Sequence, residues 1–406
     1  MRTERTATEA SPGHGHPGRG LTALLTTAMA FSMMQLFLLG ALGPRLVDRL
    51  GVTETELGLT TTVGFGTAAV LSSVGGRIVD RFGPRRSLVA LLLLSAAALG
   101  LIAAAPGVGL LLAAVALGGV PQALANPATN QAILAAVPAA RRGAVTGTKQ
   151  SGVQLGAFAA GLPLATAAGL VGWRGAVGAA AGAALLAALW AWRSLPADAA
   201  PPAGRAPARG GTGAGKSGGP VPWLAGYSLF LGAGIASVNT YLVLFGVQRL
   251  GLGPAVAGAL IAVLGVAGIA GRVGWSRAAV PGRAEWLPGG LAVGAVGAAA
   301  LLIAAPYAAP LVWVAAVTVG VCAVSGNAVS MVLVMQRSAP GRAGRDSARV
   351  AAGFFAGFAL GPPLFGRLAE SGRYGTGWGL VAAEFALAGA VALTWAARDR
   401  RTGKGA

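Results

Sequence analysis

The sequence predicts an all-α membrane protein: twelve transmembrane helices in two pseudo-symmetric six-helix bundles. Three observations carry this. The 406 residues are 55% hydrophobic and only 11% charged, with a mean hydropathy of +0.68. Soluble domains carry about 25% charged residues, so most of this chain must avoid water. The apolar residues fall in long runs separated by short charged or Gly/Pro-rich turns. The basic residues fall overwhelmingly on alternate turns.

A spanning helix needs about 20 predominantly apolar residues. Runs of that kind lie near 21–44, 57–76, 87–105, 108–136, 143–170 and 173–193. Six more lie near 222–247, 255–275, 287–305, 310–335, 349–367 and 378–397. Helix is the economical form, because lipid satisfies no free backbone group. The strict alternation of a membrane β-barrel is absent. Between the two sets of six, residues 196–221 are rich in Pro and Gly and carry Arg205, Arg209 and Lys216. That composition predicts a flexible linker. The expected organisation is a disordered leader at 1–20, a bundle at 21–195, the linker, a bundle at 222–397 and a tail at 398–406.

With the N-terminus placed inside, 25 of the 31 Lys and Arg residues lie on inside segments and 6 outside. The positive-inside rule gives this asymmetry. It puts both termini in the cytoplasm, in a cell membrane, and explains the net charge of +19 without a nucleic-acid partner. The single cysteine, Cys322, makes neither a disulfide nor a metal site. His14 and His16 sit in the polar leader and are expected to be solvated. No metal and no cofactor is implied.

The halves look related. At an offset of 200, Arg142 meets Arg342, Lys149 meets Arg349, Phe158 meets Phe358 and Pro163 meets Pro363. At 201, Asn126 meets Asn327; at 195, Gly76-Arg77 meets Gly271-Arg272. The first of these glycine-arginine pairs opens a charged interruption between two apolar runs: Gly76, Arg77, Asp80, Arg81, Gly83, Arg85 and Arg86. In that position, Gly76-x-x-x-Asp80-Arg81-x-Gly83-x-Arg85-Arg86 resembles the signature loop of the major facilitator superfamily. Twelve helices, a central linker and a parallel repeat agree with the resemblance over residues 21–400. It implies secondary transport by alternating access, with Asp80, Arg81, Arg85 and Arg86 as a gating latch. Gly76 is expected to admit a neighbouring helix and Gly83 a tight turn. Asp80 is expected to pair with an arginine or cap a neighbouring helix. In the second half Ser276 replaces the acid, so a latch would be one-sided. Arg141-Arg142-Gly143 and Lys149-Gln150-Ser151-Gly152 also resemble the cyanate-permease-like bacterial branch of the family.

Polar residues within spans are costly against lipid and are the candidates for solute contact. They are Gln35, Gln122, Asn126, Asn130, Gln150, Gln154, Asn239 and Asn327. Gln122, Asn126 and Asn130, four apart, share a helix face. For each amide the alternative is an interhelical hydrogen bond, worth about 0.6 kcal/mol. Two readings stand for Lys149 and its mirror Arg349: snorkelling to the interface, or a pair of cations facing an anionic solute. Glu384 stands alone among the acids well inside a span, as a proton site or as a bonded structural group. Gly152 with Gly156, and Gly357 with Gly361, have the small-xxx-small spacing of close helix packing.

The sequence thus points to a transporter, functional as a monomer, that moves a small solute, an anion being the leading class and a proton a candidate coupling ion. A drug or metabolite exporter of the same fold is the alternative. A membrane sensor or partner subunit is the reading from another class. No nucleotide-binding loop, metal cluster or nucleophile–base set supports an enzyme or an ATP-driven pump.

Overall fold

A computed structural model describes residues 17–198, 219–279, 284–337 and 343–403. The leader with His14 and His16, residues 199–218 of the linker, and residues 404–406 lie outside the described residues. Twelve helical spans are present among the described residues. The first bundle comprises α1 Pro17–Leu50, α2 Glu54–Phe82, α3 Pro84–Ala104 and α4 Val108–Ala136. Its α5 is Ala139–Ala159 continued by a π-helical turn, Ala160–Leu164, and by Ala165–Leu170; α6 is Gly172–Ser194. The second bundle comprises α7 Val221–Leu250, α8 Pro254–Ala278 and α9 Leu287–Ala304. Its α10 is Leu311–Thr318 continued by a π-helical turn, Val319–Val324, and by Ser325–Arg337. The last helices are α11 Ala343–Glu370 and α12 Tyr374–Gly403.

Ten helices are long and apolar enough to cross a membrane, or eleven with the bent α2 counted as one span. The twelfth, α11, carries Asp346, Arg349 and Arg367 and two prolines. Packing between α2 and α7 carries it instead of hydropathy.

Several helices are longer than the apolar runs, and at α2 a side-chain cap holds the extended start. At the start of α2, Thr53 Oγ1 accepts from the Glu56 amide at 3.1 Å, and Glu56 Oε2 accepts from the Thr53 amide at 2.9 Å. That reciprocal pair satisfies two amide donors left over at the helix N-terminus. The expected turn at Gly76–Arg86 is mostly helix: α2 runs on to Phe82, and one residue, Gly83 with φ 84°, breaks the chain before Pro84 starts α3. Only glycine adopts that backbone freely.

The bundles are mirror pieces at the level of backbone contact. A Cβ at Gly152 or Gly156 of α5 would meet the Thr26 and Ala30 carbonyls of α1 at 2.1 and 2.8 Å. A Cβ at Gly357 or Gly361 of α11 would meet the Leu229 and Ala233 carbonyls of α7 at 2.0 and 2.5 Å. The α1–α5 crossing recurs as α7–α11.

Call the ends carrying Gly83 and the central linker the linker side, and the opposite ends the far side. On the far side the halves are bolted together. The Tyr241 hydroxyl of α7 reaches Glu54 O at 2.6 Å and Pro362 O at 3.0 Å, joining three helices. Thr62 Oγ1 donates to Ala359 O at 2.6 Å, Gln248 Nε2 donates to Glu54 Oε1 at 3.1 Å, and Thr55 bonds Glu370. One hydrophobic core runs through both halves there, from Leu42 and Leu57 to Leu242 and Phe365. On the linker side the core divides: Leu88, Leu124 and Ile133 pack within the first half, and Leu291, Leu333 and Trp395 within the second.

A second seam closes α5 on α8. A Cβ at Gly161 would sit 2.5 Å from Ala262 N and 2.7 Å from Gly258 O. These are backbone atoms and cannot swing away, so Gly161→Val should open the seam and destabilise this closed arrangement by about 1–3 kcal/mol, the usual range for overpacking. The readout is increased labelling of cysteines introduced at the far-side ends of α5 and α8. Unchanged labelling and thermal stability would count against the seam as drawn.

The linker side of the second half is tied by Arg337, which bonds Glu285 at 2.6 Å and Asp399 at 2.9 Å. Burial raises the Glu285 carboxyl, but the hydrogen bond from Arg337 and its charge outweigh this and hold it below the usual range. A depressed carboxyl stabilises the fold above its unfolded pKa and loses that contribution as pH falls through its folded value. Acid titration of stability should therefore show a loss in the acidic range that Glu285→Gln removes.

Candidate functional site

Three polar groups line one cavity between the halves: Gln154 of α5, Asn239 of α7 and Arg272 of α8. They line a cavity of about 60 Å³ with Phe37 and Phe65 of the first half and Leu264 and Phe358 of the second. Its far-side roof is aromatic. Phe65 lies 4.5 Å from Phe358 and 5.8 Å from Phe355, ring centre to ring centre, and Phe354 lies 4.5 Å from Phe358.

Glycine brings the cavity walls close enough for these side chains to converge. A Cβ at Gly265 would touch Gln154 O at 3.0 Å, and one at Gly40 would overlap Asn239 O at 2.1 Å. The helix π-turn at Val319–Val324 ends on Val324, which also lines the cavity. Arg272 Nε and Asn239 Oδ1 are both buried without a protein partner. A buried guanidinium N–H and an amide oxygen with nothing to bond cost roughly 1–3 kcal/mol each. Both face the same cavity.

Gln35 and Gln122 form a neighbouring polar pair. Gln35 Nε2 donates to Val115 O at 3.5 Å, and Gln122 Oε1 is buried without a partner. Thr60 and Thr61 line the same small pocket, which shares Phe65 with the central cavity. Gln122 is buried there, whereas Asn126 and Asn130 on the same helix are exposed. The stripe of three amides therefore does not act as a unit.

Asn126 and Asn130 turn to α5. Asn126 Oδ1 accepts from Gln150 Nε2 at 3.4 Å, and Asn130 Oδ1 accepts from Lys149 Nζ at 2.6 Å. Lys149 Nζ also reaches Thr129 Oγ1 at 2.5 Å, and the residue is fully buried. Lys149 thus clamps α4 to α5 and neither snorkels nor lines the central cavity. Arg349 is half-buried beside Asp346 at 3.6 Å on its own helix. The structure does not bring Lys149 and Arg349 to one cavity. Asn327 Oδ1 and Glu384 Oε2 are buried without a partner, and neither lines the central cavity.

The signature segment is resolved into separate jobs. Asp80 accepts from Gln131 Nε2 of α4 at 2.9 Å, so it neither pairs with an arginine nor caps a helix. The cap on α3 comes from Asp198 at the start of the linker: its two carboxylate oxygens accept from the Arg85 and Arg86 amides, each at 2.9 Å. A carboxylate at a helix N-terminus meets both free amides and the positive end of the dipole. Arg85 bonds Trp192 O and stacks 4.2 Å over the Trp192 ring. Arg81 and Arg86 are exposed. A Cβ at Gly76 meets nothing within 4 Å; the close approach is at Gly75, where it would meet Ala123 O at 3.0 Å.

Residues 24–362 match the profile of the Major Facilitator Superfamily. The chain belongs to the major facilitator superfamily. That is a family of transporters rather than enzymes. A solved bacterial homologue of the human lysosomal transporter Spinster, inward-facing and occupied, is similar over 95% of this chain and 98% of its own. The TM-score is 0.76 at 16% identity. The nucleoside transporter NupG, as a D323A mutant, covers 92% of this chain and 99% of its own, with a TM-score of 0.74 at 12% identity. At these identities the likeness is one of fold. A curated relative, the probable sulfoacetate transporter SauU of Cupriavidus necator, is 27% identical over 131 residues. That match spans 32% of this chain and 30% of the relative's length.

Arg272 is the cavity residue that sequence reasoning missed. The repeat aligned it with Arg77 and so with a loop. The structure puts it within α8, six residues before the helix ends at Ala278, with its side chain on the central cavity; Arg77, five residues before the end of α2, is exposed instead.

Replacing Asp198 by Ala should cost about 0.5–2 kcal/mol, the usual loss for a capping side chain. It should also free the linker, read as faster proteolysis between the bundles. Cleavage and melting at wild-type values would refute the tether.

Proposed function

We propose that this protein is a secondary transporter working by alternating access, and that it carries a small organic anion bound at Arg272. The observation that carries this reading is the Arg272 guanidinium, buried and incompletely bonded in a cavity to which both halves contribute. A guanidinium presents a planar fork of donors that matches carboxylate, sulfonate or phosphate oxygens. Gln154 and Asn239 would orient the rest of the solute, and Phe65 and Phe358 would exclude water from it. The partial match to a probable sulfoacetate transporter supports the same class, since sulfoacetate carries a carboxylate and a sulfonate.

In this reading the closed far side and divided linker side are one end of the cycle. Asp80, held by Gln131 here, takes its latch role in the opposite state. The basic-residue asymmetry supports a cell-membrane location with both termini cytoplasmic. Glu384, buried and unpartnered, is the proton site if the solute is proton-coupled, and a single chain is the working unit.

The test is uptake of labelled sulfoacetate, or competition by short sulfonates and carboxylates, in proteoliposomes. Arg272→Gln should reduce uptake by about tenfold or more, the worth of one charge-assisted hydrogen bond, and Arg272→Lys should restore part of it. The largely apolar and aromatic lining favours one other reading, export of an uncharged drug or metabolite. Dye export that survives Arg272→Gln, with no anion transported by the unmodified protein, would select it.

A further inference from the structure

Three of the six basic residues on the far side are gathered in one place. Arg45 near the end of α1, Arg49 one turn later and Arg174 at the start of α6 line a cavity of about 550 Å³. Ala168 of α5, Gly172 and Trp173 complete the first half's wall, and Pro254 of α8 supplies the second half's. The gathering is costly as it stands. Like charges repel, and arginines on this side run against the charge asymmetry that sets the rest of the topology. Asp48 shares the lining but forms no ion pair with the arginines among the described residues.

Of the three, Arg174 is held in place and Arg45 is left with an open bond. Arg174 donates to Ala105 O at 2.7 Å and stacks 4.4 Å over Trp173, which fixes its fork. Arg45 Nη1 is buried with no partner among the described residues. Across the cavity, α8 begins at Pro254 with no side-chain cap. Its free amide end and dipole add positive potential from the other half. One positioned guanidinium, a second with an open bond, a third on the rim and an uncapped helix start make an environment for a tetrahedral oxyanion.

We propose that this cavity is a second anion site, distinct from the Arg272 cavity, which binds a phosphate- or sulfate-type group and links the two halves across the α5–α8 seam. The group comes either from a free oxyanion or from the phosphate of a lipid headgroup in the far-side leaflet. The site stands eight residues beyond Phe37 on α1, about 12 Å along the helix. It therefore sits outside the aromatic roof and is reached from the far side while the central cavity is closed to it. The proposal does not depend on the substrate assigned to Arg272.

The experiment uses the full chain with Arg272→Gln as background, so that the central cavity does not contribute. Binding of radiolabelled inorganic sulfate is measured in phosphatidylcholine nanodiscs, with inorganic phosphate as competitor. Saturable binding is expected, weakened about tenfold by Arg45→Gln through loss of a charge-assisted bond. Arg49→Gln, on the exposed rim and tolerant of change, should weaken it less but measurably. Repeating the measurement with phosphatidylglycerol identifies the source: displacement of sulfate by that lipid assigns the site to a headgroup, and unaltered binding assigns it to a free oxyanion. Either result supports the site. Absence of saturable sulfate binding in both lipids, or identical binding in Arg45→Gln and Arg49→Gln, overturns it.

Discussion

Backbone-to-backbone contact through glycine is the constraint on which the rest of this structure depends. Lipid is as apolar as a leucine side chain, so helices in a bilayer gain little by hiding hydrophobic surface from it. They associate by close packing, and close packing requires positions without a Cβ. The 66 glycines supply these positions. Gly152 and Gly156 seat α5 on α1, and Gly357 and Gly361 seat α11 on α7, so each half is built around the same crossing. The contacts between halves use the same device. Gly58 meets the Pro362 carbonyl, and Gly161 meets the α8 backbone. At such a seam the backbones lie flat on each other, and the hydrogen bonds of Tyr241, Thr62 and Gln248 are what must release before it parts. Alternating access demands that release of the far side.

Close packing also sets what each buried polar group can do. Lys149 is packed where Thr129 and Asn130 stand within bonding reach, so its charge is absorbed into a link between α4 and α5. Arg272 and Asn239 are packed where the facing wall is Phe65, Phe358 and Leu264, none of which bonds them. Both cations lie within helices of an apolar protein, and hydropathy treats them alike. Their partners separate a cation bonded within the protein from one left open to a cavity. The same distinction divides the far-side arginines: Arg174 is half-satisfied and oriented, and Arg45 keeps an open bond.

The architecture was legible because it follows from solvation, which acts residue by residue along the chain. Twelve helical runs could be read from composition and spacing. The ends of the helices could not. At α2, the Thr53–Glu56 capping box and the single Gly83 break extend the helix well past its apolar run at both ends. The site was legible in part. Gln154 and Asn239 were picked out as intramembrane amides, and they do reach the central cavity. Lys149 was picked for the same reason and does not, because its partners come from a neighbouring helix twenty positions back in sequence. Arg272 escaped because its alignment with Arg77 put both in a charged turn. Both lie within helices, α2 ending at Phe82 and α8 at Ala278, and what sets Arg272 apart is the cavity to which both halves contribute.

The signature segment gains a different meaning from this placement. Its conserved-looking charges are not one latch but three attachments, each to a different partner. Asp80 ties α2 to α4 through Gln131, Arg85 ties α3 to α6 through Trp192, and the α3 start is tied to the linker through Asp198. All three partners belong to the first half or to the linker that leaves it. In the far-side-closed state the segment therefore stiffens one bundle and leaves the second free at the linker side. A latch between bundles requires Asp80 to exchange Gln131 for a partner on the second half. Asp80 is exposed and held by one hydrogen bond from a neutral amide, so that exchange forfeits about 1.5–3 kcal/mol at most, the range for a bond to a charged group. As the segment's acid, exposed and held by one bond, Asp80 is the group able to take a cationic partner on the second half. The arginine stacked on Trp192 and the capped start of α3 are the parts that stay fixed while it does so.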